Sequence, residues 1–97
     1  MITLRMHRHG RELLLAAADK DILGKELRGE GIKLEVCRDF YEGEDATEEM
    51  LLNRLTMCTV ANLVGEETVN AALRGGYLHE DCILRIAGVP HAQLAKM

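Results

Sequence analysis

Two short segments carry the side chains best suited to chemistry. The first, Gly88-Val89-Pro90-His91-Ala92-Gln93, reads as a loop that Gly88 and the chain's one proline hold in a defined shape. From such a loop His91 and Gln93 offer hydrogen-bond donors and acceptors, and a loop positioned by a rigid sheet is where binding residues tend to sit. The plainer alternative is that Pro90 and His91 shape and cap the last strand. The second segment runs from Asn62 through Gly65 to Glu66, where a helix begins. Free N–H groups at a helix N-terminus attract anions. No Gly-Lys-Ser/Thr follows, so this is not a P-loop, and Glu66 and Glu67 already place negative charge in the first turn. Here the plainer alternative makes Asn62 a buried amide bonded to nearby backbone. If both segments serve one site, Asn62, Glu66 and His91 must meet at one end of a sheet.

Arg5, His7, Arg8, His9 and Arg11 form a basic cluster on an acidic chain of formal net charge −4. Concentrated positive charge suits RNA phosphate or an acidic partner. The segment lacks the stacking aromatics common in single-strand readers. A solvated strand face with Glu12 or Glu35 as cross-strand partners also explains the pattern. The four histidines and three cysteines show no paired-ligand spacing such as Cys-x-x-Cys, so no metal and no cofactor are expected. Cys58 and Cys82 read as small hydrophobes. Cys37, on the polar side of its segment, is the one candidate reactive thiol.

The elements that must position these residues follow from periodicity. Ile2, Leu4 and Met6 alternate with Thr3, Arg5 and His7, which marks a half-buried strand over residues 2–8. A turn at His9-Gly10-Arg11 leads into Leu13–Ala18, apolar at every position, as in a strand covered on both faces. Ile22 to Leu27 suggests a helical turn, and Ile32, Leu34 and Val36 alternate as a third strand. Asp39 to Gly43 reads as a loop whose two aromatics plug the core. Asp45 and Glu48 suggest a capped helix over about 46–58, with an apolar stripe of Leu51, Leu55 and Cys58. Residues 59–65 fit either a short strand or a continued helix. A second helix spans about 66–74, ended by Gly75-Gly76. Cys82 to Ala87 reads as the final strand, and Leu94 to Met97 as an unconstrained tail. Ile2, Leu4, Met6, Ile32, Leu34, Val36, Leu51, Leu55, Val69 and Leu73 should form one core.

Strands and helices segregated in this way predict an α+β two-layer sandwich, a mostly antiparallel sheet with two helices on one face. Ninety-seven residues predict a single domain, residues 1–97, and the 47% hydrophobic and 29% charged composition is that of an ordinary globular chain. An odd number of cysteines without a secretory leader points to a reducing, cytoplasmic setting. No apolar run approaches the ~18 residues of a membrane span.

Ala61-Asn62-Leu63-Val64-Gly65-Glu66 and Gly88-Val89-Pro90-His91-Ala92-Gln93 together resemble the small archaeal proteins called "domain of unknown function 424". Asp21-Ile22-Leu23-Gly24-Lys25 and Phe40-Tyr41-Glu42-Gly43 add to the match. The resemblance implies a compact two-layer α+β fold in an archaeal cytoplasm, and no particular activity. The residues favour a non-catalytic binding module, acting with RNA or a protein of the translation machinery through Arg5, His7, Arg8, Arg11 and the Pro90-His91 segment. The alternative is a small enzyme or ligand-binding protein whose pocket joins Asn62, Gly65 and Glu66 to Pro90, His91 and Gln93. Acid–base work by His91 would then require an orienting carboxylate beside it.

Overall fold

The structure, a computed structural model, describes residues 1–96. The alternating N-terminal segment forms β1 (Ile2–His9), and the chain reverses at Gly10 into β2 (Glu12–Asp19). The two strands pair antiparallel along their whole length, from Ile2 opposite Asp19 to His9 opposite Glu12. A single 3₁₀ turn, Lys20–Ile22, leads to a small hairpin of β3 (Glu26–Gly29) and β4 (Ile32–Glu35). Next come α1 (Arg38–Tyr41), β5 (Glu44–Ala46), α2 (Glu48–Met57), β6 (Val60–Val64) and α3 (Glu66–Arg74). After a 3₁₀ turn at Glu80–Cys82, β7 (Leu84–Ile86) and β8 (Val89–Ala95) complete the fold.

One six-stranded sheet has the order β5-β1-β2-β6-β8-β7. Every neighbouring pair is antiparallel except β2 with β6, which run parallel. The fold is therefore α+β, with α2 and α3 on one face of a mostly antiparallel sheet. On that face Ile2, Leu4, Leu15, Leu51, Leu55, Leu63 and Val69 pack together, with Met6 and Leu73 at the margin. The opposite face carries the β3–β4 hairpin and α1, which bury Ala16, Ala18, Leu27, Val36, Tyr41, Val64 and Ile86. Leu13–Ala18 is apolar throughout because both faces of β2 are covered. Among the described residues no helix is long and apolar enough to cross a membrane.

Several expectations change. The single core becomes two clusters, one on each side of the sheet. Val36 and Leu34 belong to the hairpin side, and Ile32 is 43% exposed on the hairpin. Residues 59–65 resolve as a strand, because two sheet neighbours flank them. The helical turn expected at Ile22–Leu27 is displaced to Lys20–Ile22, and Leu27 lies in β3. Asp39–Gly43 is not wholly loop, since α1 runs to Tyr41. Asp45 lies in β5, bonded to Lys20 at 2.7 Å, and the α2 cap is Thr47, whose Oγ1 accepts from the Met50 N–H at 3.1 Å. Thr47 stands directly before the first helical residue with extended backbone, as a cap must. The expected tail is ordered sheet through Ala95, with Met97 outside the described residues.

Leu55 is fully buried beneath α2, so Leu55→Ala should lower unfolding free energy by about 2–5 kcal/mol. Ile32→Ala should cost no more than about 0.5 kcal/mol, a surface-level change. Guanidinium titration of both variants checks the contrast; equal losses would contradict the packing described.

Candidate functional site

The N-terminus of α3 is already occupied. Asp19, closing β2, reaches across to it: one carboxylate oxygen accepts from the Glu67 N–H at 3.0 Å, the other from the Thr68 N–H and Thr68 Oγ1, each at 2.8 Å. A buried carboxylate on the positive end of a helix satisfies both the free N–H groups and the dipole. The anion site read at Gly65-Glu66 is thus filled from within the chain. Gly65 makes this possible. Its φ is +109°, and a β-carbon there would stand 2.3 Å from the Asp19 carboxyl carbon. Nothing in the sequence marks Asp19 for this role, because its partners lie 48 and 49 residues away.

Gly88–Gln93 is not a loop. Val89 begins β8, which lies between β6 and β7, so Pro90, His91 and Gln93 are sheet residues. Proline is tolerated there for a definite reason. Two residues in a hydrogen-bonded antiparallel pair normally exchange two N–H···O bonds. Gly65 N–H donates to the Pro90 carbonyl at 2.9 Å, while the Gly65 carbonyl turns into α3 and accepts from Val69 N–H. The N–H that proline lacks has no acceptor left to serve.

Register places the candidates on two sides of the sheet. Val64 is opposite His91 and Asn62 is opposite Gln93, so these side chains share the hairpin face. Glu66 lies on the helix side, where Arg85 holds it at 3.0 Å, and Pro90 is buried there opposite Arg85. Asn62 and His91 therefore come together, and Glu66 does not join them. Asn62 is half-buried and not a buried amide. Partial burial pushes the His91 imidazole below the ordinary histidine range, since desolvation disfavours its charged form. Two surface clefts of 340 and 390 Å³ lie near Asn70, Glu80 and Arg85 and near Ile32 and Leu84; neither is lined by Asn62 or His91.

The basic segment is likewise divided. Arg5, His7 and His9 point to the hairpin face, and Arg8 to the other with Met6. Arg5 donates to the Asp39 carbonyl at 2.9 Å. The His7 imidazole is 2.8 Å from the Phe40 carbonyl and stacks on the Phe40 ring, centroids 4.9 Å apart and planes 15° apart. None of the ion pairs among the described residues involves Arg5, Arg8 or Arg11. Glu12, expected as a cross-strand partner, instead accepts from Thr59 Oγ1 at 2.7 Å. Glu35 pairs in register with Glu26 on the separate hairpin. The α1 turn supplies the aromatic neighbour that the basic segment itself lacks.

Around this site the hairpin covers only part of the face. Ala16, Ala18 and Val64 are buried beneath it, whereas His7, Leu14, Val60 and Asn62 are half-buried and Gln93 and Ala95 exposed. Among the described residues no group of three His, Cys, Asp or Glu could hold a metal ion. Cys58 is buried, and burial pushes its thiol up. Cys37 is exposed, and Cys82 is exposed too, ending the 3₁₀ turn rather than filling the core.

The chain thus forms an α+β fold with one partly covered sheet face and a basic β1–β2 turn. The chain belongs to the family described as "Protein of unknown function (DUF424)", whose model matches residues 7–97. It is also similar to a solved structure titled an uncharacterized conserved protein from Methanopyrus kandleri. That likeness has 26% identity and a TM-score of 0.83, and covers 99% of this chain and 93% of the other. No functionally curated protein matches the chain.

Two outcomes follow from the geometry. Asp19→Ala should lower stability by about 1–3 kcal/mol, since it strands buried N–H groups, and urea unfolding should detect this. A change under about 0.5 kcal/mol would remove the junction's structural role. Because the native state holds His91 below its ordinary pKa, the unfolded chain takes up protons first on acidification. The contribution of His91 to stability is complete above about pH 6.5 and is lost as pH drops through that value towards the lowered one. His91→Gln should flatten this part of the stability–pH curve, measured by thermal melts; an unchanged slope would contradict the burial of His91.

Proposed function

We propose that the protein is a non-catalytic, single-domain module that binds RNA through the hairpin side of its sheet and the β1–β2 turn. The observation that carries this reading is the absence of carboxylate partners for Arg5, Arg8 and Arg11 among the described residues. Guanidinium groups left free on an acidic protein keep their full charge for phosphate, and Arg matches phosphate geometry bidentately. Arg8, Arg11 and Lys96 lie at the end of the sheet marked by the β1–β2 turn, with Glu12 the one carboxylate in that turn. Net negative charge then disfavours non-specific binding elsewhere without cancelling the local field. Three free cysteines accord with work in the cytoplasm.

His91 and Asn62 contribute hydrogen-bonding groups to the same face and have no catalytic task in this reading. Partners in the translation machinery would meet the protein through the bound RNA.

The test uses a labelled RNA hairpin with a single-stranded tail, titrated by fluorescence anisotropy over a series of salt concentrations. Wild-type protein should bind with affinity that falls as salt rises. Replacing Arg8 and Arg11 together by Gln should weaken binding and reduce the log–log salt slope by about 0.7–0.9 per lost phosphate contact. Absence of salt-dependent binding, or an unchanged slope in the double variant, would overturn the reading.

A further inference from the structure

Beyond phosphate contact, the exposed part of the sheet has a shape suited to bases. His7 faces Leu14 across β1 and β2, Leu14 faces Val60 across β2 and β6, and Val60 faces Ala95 across β6 and β8. These four side chains form one row across four strands, roughly 14 Å long at ordinary strand spacing. The row is apolar except at its His7 end; His7, Leu14 and Val60 are partly exposed beside the hairpin edge, and Ala95 is exposed. Beside it, in the next row, Asn62 and Gln93 stand directly opposite one another.

We infer that this Leu14–Val60–Ala95 strip, with the His7–Phe40 stack at one end, is a seat for unpaired nucleotides, so that the RNA bound is single-stranded. The inference rests on the RNA-binding reading above and narrows its ligand. Flat base faces are apolar and, in a duplex, hidden within the stack; only a single strand can lay them on such a strip. His7 is prepared for this role. Its ring is fixed parallel to Phe40, and its Nε2 is already engaged by the Phe40 carbonyl, so little ordering remains to be done on binding. The paired amides of Asn62 and Gln93 present both donors and acceptors to base edges. Arg5, on the same face, and Arg11, at the adjoining β1–β2 turn, lie where the phosphates of such a strand would run.

The test compares a short oligouridylate, an RNA duplex of equal length and the corresponding single-stranded DNA by anisotropy, with melting curves confirming that each variant folds. The single strand should bind at least about tenfold more tightly than the duplex. His7→Ala should weaken single-strand binding by about tenfold, and His7→Tyr should restore it by keeping a stacking ring. Gln93→Ala, at an exposed position, should also weaken the single strand and leave duplex affinity unchanged. Duplex binding as tight as single-strand binding, or single-strand affinity unmoved in both His7→Ala and Gln93→Ala, would overturn the inference while sparing the wider reading. Failure of the wild type to bind any of the three would overturn that reading as well. Equal binding of the DNA would support the seat for bases and remove the preference for RNA.

Discussion

The fold turns on the contact between the Asp19 carboxylate and the first turn of α3. Parallel strands β2 and β6 end side by side, and α3 begins immediately after β6. A helix starting so close to a sheet would leave free N–H groups in a poorly solvated place. Asp19 supplies the acceptors from the neighbouring strand, and its reach requires that Gly65 carry no side chain. The same residue donates its N–H to Pro90, so one junction ties together β2, β6, α3 and β8. A change at Gly65 would disturb all four.

That junction also sets where the sheet is covered. With α3 launched onto one face, the long connection between β2 and β6 places its hairpin and α1 on the other. There they pack over Ala16, Ala18, Val64 and Ile86, small or medium side chains that allow close approach. The hairpin is too short to reach the far rows. Leu14, Val60, Asn62, Gln93 and Ala95 are left at its margin, half-buried or exposed, next to the basic β1–β2 turn. An open apolar strip and a free positive rim are thus products of one geometric fact, the limited span of β3 and β4.

α1 contributes in a way its four residues would not suggest. Its last turn buries Tyr41 in the hairpin-side core, and the preceding Phe40 lies against His7. Backbone carbonyls of Asp39 and Phe40 receive Arg5 and His7, which fixes two cationic or hydrogen-bonding side chains of β1 without neutralising them by a carboxylate. Tertiary packing therefore orders the basic face while preserving its charge.

Much of this was legible in the chain itself. Alternation at Ile2–His7 and the unbroken apolar run at Leu13–Ala18 defined the hairpin, because strand periodicity records burial directly. The second helix was readable to its limits, since Glu66-Glu67 at one end and Gly75-Gly76 at the other mark a helix locally. The resemblance carried by residues 61–66 and 88–93 pointed to the family, but no residue spacing could show that these segments are neighbouring strands. Pro90 looked like a loop residue because a proline normally breaks a ladder; only the turning of the Gly65 carbonyl into α3 made a strand possible there. Ile32 looked like core because alternation shows that one face is buried, not which layer buries it or how far that layer extends. Asp19 gave no signal, and Phe40 read only as a plug for the core, for their partners Thr68 and His7 are distant in sequence. The sequence by itself determined β1, β2, β4, α2 and α3, whose causes are local, and tertiary structure alone decided the remaining strands, the filled helix terminus, the divided candidate residues and the uncovered strip.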